Sequence, residues 1–334
     1  MRRLLTVDEN GLYCKQGDFY IDPWKPVKTA LISHGHSDHM RWGMQHYICH
    51  HHTLPILKLR LGTENSSQGV AYGEVFEING VKISFHPAGH IIGSAQIRLE
   101  FQDEVWLFTG DYKIAKDGVS TPYELVKCDH LITESTFGLP IYHFPPPELI
   151  YQDINSWWRQ NADEGYNTVL LAYSLGKSQN ILAHIDPSIG EVYLHGAVAN
   201  TNNALAEIGY HFPGKYISPD IDRSALRSAL IVAPPSASDT PWLRKLKPYR
   251  IAMCSGWMQL RGARRRKGVD RGFALSDHCD WDQLNQAIRQ TGAKHVYVTH
   301  GYESIFSKWV TNHFGIPASV LKTVYNDEEE ESEL

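Results

Sequence analysis

Residues 33–39 read Ser-His-Gly-His-Ser-Asp-His, so that four side chains able to bind metal ions, His34, His36, Asp38 and His39, fall within six positions. Imidazole nitrogens and carboxylate oxygens suit zinc and similar first-row ions. In an extended segment side chains alternate, which points His34 and His36 the same way. A turn beginning near Ser37 aims Asp38 and His39 at a second, adjacent position. Gly35 lets the loop crowd close to the ions. Two ions about 3.5–4 Å apart form a clamp for in-line attack on a phosphate or acyl centre. A pair of ions needs further ligands, and His90 in Pro87–Ser94 and Asp111 in Phe108–Tyr112 supply them. A carboxylate at Asp111 can bridge both ions. The triplet His50-His51-His52 has no flanking ligand pattern and reads as surface or packing.

Such ligands must be carried by rigid elements. Short β-rich runs predict strands at Ala30–Ser33, Val81–Phe85, Ala95–Phe101, Val105–Thr109, His130–Thr133, Thr168–Ala172, Val192–Leu194, Ala229–Ala233, Ile251–Cys254 and His295–Thr299. Helical patterns fall at Glu148–Gln160, Leu175–His184 and Asp280–Thr291, with a weak one at Ala225–Ser228. The alternation predicts an α/β protein with mixed sheets. His34, Asp111, Glu134 and His300 each sit just after or at the end of a predicted strand. Strand ends are rigid places from which loops converge on one point. The run Phe144-Pro145-Pro146-Pro147 marks one boundary, and the basic, glycine-flanked stretch 262–272 marks a second.

The chain has 334 residues, which suggests about two domains. At 42% hydrophobic and 21% charged it has a globular composition. No apolar run approaches the ~18 residues of a membrane span. Arg2 and Arg3 are followed closely by Asp8, Glu9 and Asn10 rather than by an apolar stretch, so a cytoplasmic protein without a membrane partner is expected. Five cysteines, odd in number and with no CxxC, argue against a disulfide framework and a zinc ribbon. The net charge of −5 conceals an asymmetry. The tail, residues 326–334, holds six acids and is expected to be disordered, whereas Arg244–Arg271 holds ten Lys or Arg against Asp270 alone. That basic segment suits a polyanion partner.

The run at 34–39, followed by His90 and then Gly110-Asp111, resembles the metallo-β-lactamase fold family. Leu131–Gly138, containing Glu134, looks like the first extra motif of its β-CASP nuclease branch. Ser276-Asp277-His278 looks like the second, and Val298-Thr299-His300-Gly301 like the third. Ala172–Leu182 resembles a strand–loop–helix of the β-CASP insert. Ser255–Met258, Arg261–Arg266 and Phe273–Asp280 look like bacterial ligase-associated DNA-repair exonucleases, Artemis-like relatives. The resemblance covers nearly the whole chain apart from the acidic tail.

It implies an αββα sandwich at 1–138 and 272–334, with an inserted α/β β-CASP domain at 139–271. It implies that His34, His36 and His90 hold one divalent ion, that Asp38, His39 and His300 hold the other, and that Asp111 bridges. Zinc is the expected metal, with manganese or iron as alternatives. His278 would act near the leaving group with Glu134 orienting it, and Asp38 belongs to the catalytic set. Arg264, Arg265, Arg266 and Lys267 are the candidate phosphate contacts, with Lys177 at a helix start as another. Tyr112 and Trp257 could stack on bases or pack in the core.

The implied activity is metal-dependent phosphodiester hydrolysis by a DNA exonuclease. The implied partners are single-stranded DNA or strand ends, a DNA ligase and other repair enzymes. His300 matches RNA-processing relatives, so a β-CASP ribonuclease with the same site is the alternative. A small-molecule hydrolase of this fold would not need residues 139–271.

Overall fold

The computed structural model describes residues 3–218, 220–221, 226–260, 262 and 268–323. Arg264, Arg265, Arg266, Lys267 and the acidic tail lie outside the described residues, as does part of the weak helix expected at Ala225–Ser228. No helix among the described residues is long and apolar enough to cross a membrane. The chain divides into two compact units. One runs to His143 and resumes at His278; the other is Phe144–Asp277.

The first unit opens with a six-stranded sheet in the order of the chain: β1 Leu5–Val7, β2 Leu12–Cys14, β3 Phe19–Ile21, β4 Thr29–Ile32, β5 His46–His50 and β6 Ser67–Val70. From β3 onward the strands are parallel. From Ala30 onward β4 is a continuous buried apolar run, as a strand covered on both faces requires. Its residues alternate accordingly. Leu31 packs with residues of the second sheet, whereas Ala30 and Ile32 pack with Met40, Met44, Tyr47 and Leu57. Helix α1, Leu54–Leu61, covers that outer face. β7 Val75–Ile78, β8 Val81–Pro87, β9 Ala95–Phe101 and β10 Glu104–Phe108 follow as an antiparallel meander, and β11 His130–Ser135 joins β10 in parallel.

The second unit is built on an all-parallel sheet. Its strands are β12 Asn167–Leu171, β13 Val192–Leu194, β14 Lys215–Tyr216, β15 Leu230–Ala233, β16 Tyr249–Cys254 and β17 Arg271–Phe273, in the order β14-β13-β15-β12-β16-β17. Helices α2 Pro147–Asp163, α3 Lys177–His184 and α4 Gly196–Ala206 and the short α5 Pro241–Arg244 connect them. α2 begins on the last of the three consecutive prolines, where a missing N–H costs nothing. It buries Ile150, Tyr151, Ile154, Trp157 and Trp158 at helical spacing against β12, β15 and β16.

The chain re-enters the first unit with α6 Trp281–Thr291, β18 His295–Gly301, α7 Glu303–Phe314 and β19 Ala318–Val320. β18 pairs in parallel with β11 and with β19, which completes a seven-stranded sheet. Asp280 caps α6 by accepting from the Gln283 N–H at 3.0 Å, and Gly292 ends the helix in the left-handed region. α6 and α7 cover the outer face of this sheet, and the inner faces of the two sheets share one core. The short strands β1–β3 and helices α1, α4 and α7 are among the elements not expected from sequence. They form because tertiary burial overrides weak local propensity.

His50, at the end of β5, stacks on Tyr72 with ring centroids 3.6 Å apart and accepts from the His52 N–H. Burial, then the neighbouring His52 and His51, push its pKa down to about 3 from an ordinary 6.5. The folded protein therefore keeps His50 neutral where the unfolded chain would take up a proton. That contribution to stability is complete above pH 6.5 and is lost as pH falls toward 3. In metal-free protein, His50→Phe should keep the stacking and show a smaller fall in Tm between neutral pH and pH about 4 than the wild type. An equal fall would show that His50 does not titrate in this way.

Candidate metal centre

The ligands assemble where strand ends of the two sheets meet in the first unit. Ser33 follows β4, and its carbonyl accepts from the Ala95 N–H at the start of β9, 2.8 Å away. Gly110 follows β10 with φ of 55°, and a Cβ there would lie 2.8 Å from the Ser33 Cβ. Only glycine allows this approach, which brings Asp111 against His34.

His34, His36, His90 and Asp111 each place one ligand atom within 4.8 Å of all the others. The His36 Nδ1 lies 3.2 Å from the His34 Nε2 and 3.1 Å from the His90 Nε2. Asp38, His39 and His300 form a second such group. Asp111 stands against both, its Oδ2 being 3.4 Å from the His34 Nε2 and 3.5 Å from the His39 Nε2. All seven residues expected from sequence as metal ligands therefore come together, although 266 positions separate His34 from His300.

The donor set fits divalent cations. His34 is fully buried, and burial and the neighbouring imidazoles hold its pKa well below the usual histidine range, so it stands neutral with a lone pair to offer. Burial opposes charge on His39 too, but the carboxylates of Asp38, Asp111 and Asp22 outweigh it and raise its pKa well above normal. For Asp111, burial and the nearby Glu134 raise the carboxyl pKa against the pull of His39. The Oδ1 atoms of Asp38 and Asp111 are buried without a hydrogen-bond partner among the described residues. Buried acceptors in that state are costly unless a cation or proton compensates them.

Asp22 was not singled out from sequence, yet it anchors both groups. It is fully buried, just beyond β3. Its Oδ2 accepts from the His39 Nδ1–H at 2.8 Å and from the Ser33 hydroxyl at 2.5 Å, and its Oδ1 accepts from the Ser33 N–H at 2.7 Å. The Ser33 Oγ in turn lies 3.0 Å from the His34 Nδ1. One carboxylate thus sets the tautomer of two imidazoles, leaving both Nε2 atoms facing the cluster. The signal that marks His34 and Asp111, an acidic or imidazole residue closely following a strand, reaches Asp22 only once β3 is known, and Phe19–Ile21 was not expected as a strand. Asp22→Asn should lower divalent-metal affinity about 10–100-fold, as read by chelator competition. Unchanged affinity would reduce Asp22 to a packing residue.

His300 has φ of 58°, a left-handed backbone rare for a non-glycine. Its N–H donates to the Glu303 carboxylate at 3.0 Å, and its carbonyl accepts from the Ser135 hydroxyl at 2.5 Å. These bonds hold the ring parallel to His39, with centroids 6.1 Å apart. Such strain is retained where surrounding structure over-determines it.

His278 lies beside the ligands, its ring 4.6 Å from that of His90. Its Nδ1 is 3.0 Å from both oxygens of Glu134. Glu134 is buried and also accepts from the Tyr112 N–H at 2.9 Å and the Thr136 hydroxyl at 2.5 Å. Burial pushes its pKa up, but His278 and these donors outweigh it, so the carboxylate is stabilised as an anion. The pairing leaves the Nε2 of His278 as the nitrogen that can exchange a proton.

Other candidates fall elsewhere. Lys177, at the start of α3, is 5% exposed and lies 2.8 Å from Asp277 Oδ1, itself 1% exposed. This corrects its reading as a phosphate contact. An ammonium already matched in a buried ion pair has no open face to offer, and breaking the pair would leave a buried charge uncompensated. Tyr112 and Trp257 are buried, so both pack rather than stack on bases.

No known family profile matches the chain. It is 31% identical over 302 residues to a protein named "Probable DNA ligase" from Opitutus terrae, covering 90% of this chain and 29% of that one. It is 31% identical over 150 residues to "Endoribonuclease YSH1" from Yarrowia lipolytica, covering 42% of this chain and 18% of that one. The chain thus spans less than a third of either relative. Among solved structures, a protein of unknown function from Enterococcus faecalis V583 aligns with a TM-score of 0.57 over 82% of this chain and 75% of the other, at 13% identity, a likeness of fold alone. The homologues of this chain thus include the nucleases of the β-CASP metallo-β-lactamase family.

Proposed function

We propose that the chain is a metal-dependent nuclease that hydrolyses phosphodiester bonds in DNA, acting on single strands or strand ends as an exonuclease in cytoplasmic repair, together with a DNA ligase or other repair enzymes. The first unit is read as the αββα metallo-β-lactamase sandwich and Phe144–Asp277 as the β-CASP insert. The observation that carries this reading is the pair of ligand groups sharing Asp111, with the His278–Glu134 couple directly beside them. His34, His36 and His90 would hold one ion, Asp38, His39 and His300 the other, and Asp111 would bridge. Zinc suits the imidazole-rich donors best, and manganese or iron can use the same set.

When bound, two divalent ions supply Lewis acidity toward phosphate oxygens and lower the pKa of a nearby water to near neutrality. The chain's own residues do the rest. Asp22 and Ser33 keep the His39 and His34 rings aimed at the cluster. Glu134 holds the Nδ1 proton of His278 and stabilises the imidazolium, which lets Nε2 deliver a proton to the leaving oxygen. The leaving nucleoside oxygen departs as an alcohol rather than as a costly alkoxide.

The match to a protein named DNA ligase over 90% of the chain favours DNA. His300 and the relative named an endoribonuclease favour RNA, which stands as the second reading. Matched end-labelled DNA and RNA strands, incubated with the protein and zinc or manganese, separate the two. Stepwise shortening of DNA from one end supports the first reading and gives its polarity. Preferential cutting of RNA moves the protein to the second. Cleavage of neither overturns both.

A further inference from the structure

Of the nine tryptophans, eight are buried or partly buried and one is exposed. Trp42 is 65% exposed, three residues after His39. An exposed indole by itself needs no explanation, but the loop that carries it is firmly held. The Tyr47 hydroxyl donates to the Arg41 carbonyl at 2.9 Å and accepts from the Met44 N–H at 3.1 Å, which clamps both ends of the segment 41–44. Met40 and Met44 are buried on either side, and the Met40 N–H donates to the His36 carbonyl at 2.9 Å. Gly43 has φ of 96°, and a Cβ there would meet Pro26 Cγ at 2.9 Å. The backbone is therefore pinned in a shape that holds Trp42 out in solvent.

Arg41 adds a charge at the same place. Its Nε–H donates to the carbonyl of Asp38 at 3.2 Å, which ties the guanidinium to the backbone of the ligand loop. Among the described residues no carboxylate is paired with it. A tethered cation next to a solvent-facing indole on a pinned backbone has the chemistry of one nucleotide. A guanidinium suits a phosphate, and a rigid aromatic face suits a base of any identity.

We propose that Arg41 and Trp42 form a nucleotide subsite beside the metal-ligand cluster, Arg41 taking a backbone phosphate and Trp42 stacking on a base of the single-stranded end. This subsite rests on the nuclease reading given above.

Steady-state cleavage of short single-stranded DNAs tests it, with intact strands and strands in which one abasic position is walked through the sequence. Metal content and melting temperature are compared for each variant. Trp42→Ala should raise KM about 5- to 100-fold on intact strands with kcat little changed. Trp42→Phe should recover most of that loss. One abasic position should cost the wild type the same factor, and there Trp42→Ala should add nothing. Arg41→Gln should raise KM and weaken its dependence on salt. Trp42→Ala that cleaves like an active wild type, or that loses equally on intact and every abasic strand, overturns the subsite and leaves the nuclease reading standing. A wild type that cleaves no nucleic acid overturns the nuclease reading and the subsite with it.

Discussion

Asp111→Asn is expected to reduce cleavage by at least about 10³-fold and to remove bound metal, because its carboxylate faces both ligand sets. Stabilisation of transition-state charge by bound cations amounts to several kcal/mol, and about 4 kcal/mol corresponds to that factor. The amide keeps the shape and loses the negative charge that would offset divalent cations in this buried site. The neighbouring imidazoles cannot replace it, since they are neutral donors when they bind metal. Elemental analysis should show fewer ions per chain than the wild type, and titration with zinc should show weakened binding. Retention of both full metal content and full cleavage would remove Asp111 from the centre.

His278→Ala is expected to lower the rate by about 10²–10⁴-fold while leaving metal content unchanged, the range for loss of a positioned general acid. His278 is held by Glu134 and is not required to complete either ligand group. The leaving group provides the discriminating measurement. A phosphodiester whose leaving group is a nitrophenolate needs no proton, so the variant should cleave it nearly as well as the wild type. Equal losses on both substrates would mean that His278 places the phosphate instead of protonating the product. Glu134→Gln should act in the same direction, since the amide would accept the Nδ1 proton without stabilising the imidazolium that forms.

Much of this centre was legible in the chain. His34, His36, Asp38 and His39 are close in sequence, and the alternation of an extended segment followed by a turn is enough to aim them at neighbouring positions. Asp111, Glu134 and His300 were marked by their place at strand ends. The strands carrying them were expected within one or two residues, because each is an apolar β-rich run. The basic segment Arg261–Lys267 was equally conspicuous as charge. The phosphate role of Lys177 failed because a sequence shows a lysine at a helix start but not the carboxylate, a hundred residues on, that buries it.

The local sequence by itself determined the ligand types, their spacing and the α/β class, since these depend on side-chain chemistry and on the two-residue period of a strand. Tertiary structure alone decided which side chains stand together in each group, that Asp22 orients His39 directly and His34 through Ser33, and that Glu134 meets His278 across 144 positions. The reason is physical. Hydrogen bonds of about 3 Å between distant residues depend on how two sheets pack and on a glycine that lets their strand ends touch. No periodicity along a chain encodes such a contact.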